Sequence, residues 1–218
     1  MFCRVCGARV RALSGEGYCW SDFLADPSAS PCIVRPELCE AHLGRGRDVA
    51  WERAQHDRPH VVYLADSGGL KVGVTTADYT TTRWIDLGAR AALRIAETPH
   101  RRAADEIEVA LKAVVSDKTA WQRMLSGRTP PVDLRTERER IVAAIPAAHV
   151  AWVLADEAPT TLDYPLLAQP AKLKSVNLSD VPNVRRRLVG VRGQYLLFEE
   201  GLVFNVRRHT GYEVILRA

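Results

Sequence analysis

Residues 61–112 read VVYLADSGGLKVGVTTADYTTTRWIDLGARAALRIAETPHRRAADEIEVALK, and the fold class turns on them. Two short apolar runs, residues 61–65 and 70–74, flank Asp66-Ser67-Gly68-Gly69. β-prone runs around a short Gly-rich break spell a β-hairpin, because glycine reaches turn conformations that other residues resist. A plain four-residue loop pairs Ala65 with Leu70 and sets Lys71 opposite Leu64. A bulge or a different register is needed to bring Lys71 onto the face of Tyr63. A helix follows near Arg83 and gathers Trp84, Leu87 and Ala91 on one side. The next spans about residues 103–115, with Ala103, Ala104, Ile107, Ala110, Leu111 and Val114 as its apolar stripe. Measured around that helix from Ile107, Ala104, Leu111 and Val115 fall within about 40–80° and Glu108 at about 100°, on the rim of the buried face. A rim carboxylate is held by its neighbours yet reaches a site. Glu106 lies on the opposite rim, and Asp105 points away.

Working outward, the 218 residues and 47% hydrophobic content suffice for one or two buried cores. The net charge of +4 is unevenly spread: 0 over residues 1–64, −1 over 65–164 and +5 over 165–218. A polyanion is therefore drawn to the C-terminal quarter. Of the 30 basic residues 25 are Arg, a bias that GC-rich coding produces by itself, so arginine abundance alone is not phosphate recognition. The N-terminus MFCRVCGARVR has no apolar core for secretion, and no run of 18 apolar residues occurs. Both facts point to the cytoplasm and against a helical membrane span.

Three blocks emerge, and the class they predict is α+β. Residues 1–58 hold all five cysteines among Gly and Pro turns, with little hydrophobic periodicity, so a bound ion is the natural substitute for a core. Residues 59–164 form the central α/β domain. There a helix opens at Ser116-Asp117 and closes before Gly127, and Asp133 caps another that runs through Arg140 towards Ile145. In residues 165–218 the period changes. Runs at 188–191, 194–198, 202–206 and 212–216 predict a small antiparallel β meander or barrel.

Cys3-x-x-Cys6-Gly is a zinc knuckle, two thiolates on a tight turn that glycine lets curl around the ion. Two completions compete. Cys19-x-x-Asp22 gives a ribbon with a carboxylate ligand, and Cys39-x-x-His42 gives a second knuckle of conventional spacing. The favoured set is Cys3, Cys6, Cys39 and His42, with Cys19 and Cys32 as nearby alternates or members of a second site. So many thiolates point to structural rather than catalytic Zn2+.

The order of parts in residues 61–112 resembles the GIY-YIG nuclease superfamily: tyrosine on a first strand, glycine on a second, then an arginine and a helical glutamate. Val61-Val62-Tyr63 looks like the first motif and Lys71-Val72-Gly73 the second, with lysine for its tyrosine as in the phage-type branch. The resemblance implies Tyr63 in proton transfer, Arg83 as phosphate clamp and Glu108 as ligand of Mg2+ or Mn2+. Lys71, Gly73 and Thr75 then face the nucleic acid, Gly73 admitting its backbone. A plainer reading pairs Glu108 with Lys112 at i,i+4 and leaves Tyr63 a half-buried strand residue.

Longer segments are similar to the uncharacterised DUF2797 family over nearly the whole chain. They are the opening Cys-x-x-Cys, CIVRPELCEAH, HVVYLADSGGLKVGV, TRWIDLGARAAL, IEVALK, SDKTAWQRML and VGVRGQYLLFEEGLVFNVRRHTGYEV. Members usually carry a basic residue where Thr76 stands, Gln at Leu87 and a further cysteine near Asp22. In the C-terminal block Arg185, Arg186, Arg187, Arg192, Arg207 and Arg208 interleave with Tyr195, Phe198, Phe204 and Tyr212. Such a surface can grip single strands, although four aromatics are first what so small a barrel needs for its core. The expectation is a metal-dependent nuclease-like protein acting on phosphodiesters. Its rivals are a non-catalytic nucleic-acid binder with a degenerate core, or a protein adaptor.

Overall fold

The computed structural model describes residues 1–115, 121–170 and 172–217. Among them the chain runs α1 (Trp20–Ala25), α2 (Val49–His56), β1 (His60–Asp66), β2 (Leu70–Thr76), α3 (Thr80–Asp86), β3 (Ala91–Thr98), α4 (Arg101–Lys112), α5 (Trp121–Ser126), α6 (Leu134–Val142), β4 (Thr160–Thr161), β5 (Lys174–Val176), β6 (Leu188–Arg192), β7 (Tyr195–Phe198) and β8 (Leu202–Asn205). This is a mixed α+β chain with two four-stranded sheets, ordered β2-β1-β3-β4 and β5-β8-β7-β6. No helix among the described residues is long and apolar enough to cross a membrane.

The hairpin forms, with a tighter register than a four-residue loop gives. Asp66 pairs with Leu70, so Ser67, Gly68 and Gly69 alone make the turn. Both glycines take positive φ, +77° and +144°. Buried Asp66 anchors the tip, accepting from Arg90 Nε and Val132 N, each at 3.0 Å. The one-residue change in register decides the faces, because side chains alternate along a strand. Tyr63 now pairs with Gly73 and Ala65 with Lys71, so Tyr63, Lys71, Gly73 and Thr75 share one face.

Central β1 is buried along its whole length because both faces of the sheet are covered. One face packs Val62, Leu64, Val72, Leu93 and Ile95 against Ala104, Ile107 and Leu111 of α4 and Ile141 of α6. The other packs Val61, Tyr63, Ala65 and Ala92 against Trp84 of α3. The helix expected around Arg83 is present but short. It stops at Gly88, whose φ is +68°. Ala91 is therefore the first residue of β3, not part of a helical stripe. β3 carries a bulge opposite Val62 and Tyr63 that leaves Arg94 across from Tyr63.

Asp133 caps α6 as its sequence predicts, accepting from the backbone N–H groups of Arg135 and Thr136. The helix start expected at Ser116-Asp117 lies outside the described residues; α5 covers the end of that segment. The C-terminal sheet departs from a pure antiparallel meander. β5 pairs in parallel with β8, and residues 212–216 form no strand. Its aromatics build structure: Tyr195 stacks on Trp121, and Phe204 stacks on His209.

Candidate functional site

Tyr63 enters its site from the middle strand, where strands press from both sides, and only 1% of it is exposed. The ring lies over Gly73, where a Cβ would sit 2.6 Å from the Tyr63 hydroxyl. Glycine at this position thus makes room for the phenol itself. Trp84 closes the ring edge-on, with centroids 6.1 Å apart. Arg83, half-buried on α3, reaches the phenol. Burial raises the Tyr63 hydroxyl above its ordinary range, the adjacent Arg83 guanidinium opposes that, and the Glu108 carboxylate adds to it. Tyr63 on β1 thus has Arg83 of α3 beside it on its own face, while Glu108 belongs to α4, which packs on the opposite face of the sheet.

Glu108 sits on the rim of α4, its side chain 12% exposed, and pairs with Lys112 Nζ at 3.0 Å. Glu106, on the other rim, is engaged by Arg102 at 2.5 Å and His149 at 2.9 Å. Asp105 does not point away. It is buried against Arg101, 3.2 Å from its Nε, because the N-terminal segment packs over that side of α4. Burial pushes its carboxyl up to about 7. Arg94 of β3 adds a cation on the Tyr63 face that the sequence reading lacked. Its register places it beside Tyr63, and its guanidinium is held by Glu97 and Glu157. The alternation Leu93-Arg94-Ile95 was the available signal.

The candidate ligands divide differently from the favoured set. Cys3, Cys6, Cys19 and Asp22 offer ligand atoms all within 4.8 Å of one another. Cys32, Cys39 and His56 make a second group of the same tightness. Cys39 therefore belongs with Cys32, not with Cys3 and Cys6, and His42 instead stacks on His100 at 4.4 Å. In the first group the Cys3 and Cys19 thiols donate to Asp22 Oδ2 at 3.0 and 3.2 Å. Bonds from Cys3, Cys6 and Cys19 hold the Asp22 carboxyl down at about 2, and the same carboxylate raises Cys6 to about 12. Asp22 thus stands as the fourth donor of the first group, beside three thiols. His56, in the second group, was missed because it lies in α2, and the 1–58 block showed no helical period.

The C-terminal arginines do not act as one patch. Arg192 is buried, donates to the Gly88 carbonyl at 3.0 Å and covers the Tyr164 ring at 5.3 Å, so it joins the two sheets. Arg185, Arg186 and Arg187 are exposed. Arg186 and Arg187 face Glu200 and Glu199, and Arg185 and Arg186 line a cavity of about 450 Å³ with Lys174, Asn177 and Arg208.

No curated protein and no solved structure matches the chain. One family's sequence profile matches residues 1–214, and its description reads Protein of unknown function (DUF2797). On that match, which spans nearly the whole chain, the protein belongs to the DUF2797 family.

Proposed function

We propose that the Tyr63 face is a phosphodiester site of GIY-YIG type and that the protein is a metal-dependent nuclease-like protein acting on nucleic acid. The reading rests on one juxtaposition: Arg83 stands beside the Tyr63 phenol on the sheet face that also carries Lys71, Gly73 and Thr75, while Glu108 lies on the rim of α4, the helix packed on the opposite face. In this account the Arg83 guanidinium takes the non-bridging phosphate oxygens, where charge grows as the diester is cleaved. Thr75 and Lys71 share that face and approach the backbone beside it. Tyr63 keeps its proton at neutral pH because burial disfavours phenolate, so it serves as a positioned donor with its ring fixed by Gly73 and Trp84. Glu108 would hold Mg2+ or Mn2+, which when bound supplies Lewis-acid stabilisation of the phosphoryl oxygens. The exposed Arg185–Arg187 segment adds non-specific attraction for the strand.

Three thiols and a carboxylate suit Zn2+ at Cys3, Cys6, Cys19 and Asp22, a structural centre fitting a reducing cytoplasm. A second reading, a nucleic-acid binder without turnover, draws on the Glu108–Lys112 ion pair and the near-complete burial of Tyr63. Labelled single- and double-stranded DNA and RNA, incubated with Mg2+ or Mn2+, separate the two. Cleavage that disappears in Glu108→Ala supports the nuclease. No cleavage of any substrate, with salt-sensitive binding that survives Glu108→Ala, replaces it with the binder.

A further inference from the structure

We infer a second structural metal centre, formed by Cys32, Cys39 and His56 with Glu52 as fourth ligand, which fixes the N-terminal segment to helix α4. The inference goes beyond the phosphodiester reading and does not depend on it. Cys32, Cys39, Glu52 and His56 are all buried, with exposures of 5%, 1%, 3% and 4%. The apolar cluster around them contains only Cys32, Cys39 and Ala41. So small a core cannot repay the burial of a carboxylate, an imidazole and two thiols, whereas a divalent ion at their centre does.

Glu52 and His56 stand one turn apart on α2 and share a face. Oε1 of Glu52 is engaged by Ser30 Oγ at 2.8 Å and the Arg47 N–H at 3.3 Å. That anchors the carboxylate with Oε2 turned inward, 3.1 Å from His56 Nδ1 and 3.8 Å from Cys32 Sγ. Donors bound tetrahedrally to one zinc lie about 3.3–3.8 Å apart. Glu52 is near that spacing from His56 and Cys32, and the tight group of Cys32, Cys39 and His56 needs only a turn of the Glu52 carboxylate to gain its fourth donor. Two soft thiolates and an imidazole select Zn2+ over Mg2+ or Ca2+.

Charge is compensated in part. Two thiolates and a carboxylate around Zn2+ leave one negative charge, and Arg101 of α4, which also pairs with Asp105, lies against it. Its guanidinium lies 2.9 Å from His56 Nε2, donates to the Cys32 carbonyl at 3.0 Å and meets Asp105 at 3.2 Å. Before an ion enters, the tautomer protonated on Nδ1 accepts from Arg101 and donates to Glu52. Loading releases two thiol protons to solvent and moves the ring proton to Nε2. That breaks the Arg101–His56 hydrogen bond and turns that guanidinium N–H away, while Arg101 keeps its bonds to Asp105 and Cys32. Arg101, in the first turn of the helix that carries Glu108, therefore packs directly behind the ligands of the centre.

Elemental analysis of the full chain, purified with Zn2+ and without chelator, tests the inference. Two Zn2+ per chain are expected, falling to one in Cys39→Ser and to one in Cys6→Ser. Should Cys39→Ser not fold, Glu52→Gln provides a milder change, expected to weaken one of the two sites at least tenfold in a chelator competition. In Co2+-substituted protein the thiolate charge-transfer band should titrate in two phases. Amide exchange in the first turn of α4 should quicken in Glu52→Gln and stay unchanged in Cys6→Ser. One Zn2+ per wild-type chain, a Cys32–Cys39 disulfide in its place, or two equally tight sites in Glu52→Gln overturns the assignment.

Discussion

Gly73 shows how one residue can set a site without chemistry of its own. A methyl group there would sit 2.6 Å from the Tyr63 hydroxyl, and neither edge strand β2 nor central β1 can shift without breaking the ladder between them. Gly73→Ala should therefore turn the phenol off Arg83 and cost about 1–3 kcal/mol, read from the denaturant midpoint at unchanged slope. His60 carries a second residue-scale consequence. It is buried with Nδ1 against the Arg58 carbonyl, and burial holds its pKa at about 4 instead of 6.5. The folded state thus refuses a proton that the unfolded chain accepts. The stabilisation is complete above pH 6.5 and is lost as the pH falls towards 4, roughly 3 kcal/mol in all. Asp105, raised to about 7, has the opposite slope over part of that range, so the wild-type curve alone mixes the two. The difference in unfolding free energy between wild type and His60→Asn isolates the histidine, and should shrink on acidification.

At the scale of elements, much was legible where a local rule dominates. The hairpin announced itself through two apolar runs and two glycines, and α6 through Asp133. That cap is directly testable: Asp133→Ala frees two backbone donors and should lower stability by about 1 kcal/mol, seen as a lower thermal midpoint. The rim place of Glu108 also followed from periodicity alone. β3 did not, because Ala91, Ala92 and Ala96 suit a helix by propensity and become strand only through pairing with β1. The hairpin register was open for a related reason: loops of three and four residues both fit DSGG, and packing chose between them. α2 was hidden because its mean hydropathy is low, and what it buries is Glu52 and His56. Parallel pairing of β5 with β8 joins segments far apart in sequence, for which no local pattern exists.

Across the whole molecule, the segments read as separate blocks are tied together by specific contacts. The N-terminal knuckle joins the C-terminus through the Phe2 N–H to the Gly211 carbonyl at 2.6 Å and through Arg207 to Glu16 at 2.7 Å. Arg192 bridges the two sheets, and Arg101 links the second thiol group to α4. Spacing alone paired Cys39 with His42, but ligand choice is a matter of tertiary position, and the fold assigns Cys39 to Cys32 and His56. Both thiol groups thus lie in the segment with the least apolar core, and the second adjoins the helix that bears Glu108. The central claim is that Tyr63, Arg83 and Glu108 serve one phosphodiester site. It is tested most directly by the Mn2+-dependent rate of cleaving a labelled oligonucleotide, compared among wild type, Tyr63→Phe, Arg83→Ala and Glu108→Ala at one salt concentration. Cleavage by the wild type is expected, with a loss of about 100-fold or more for Arg83→Ala and Glu108→Ala at preserved thermal midpoints. Equal rates in wild type and Glu108→Ala, or no cleavage by the wild type at all, would contradict it.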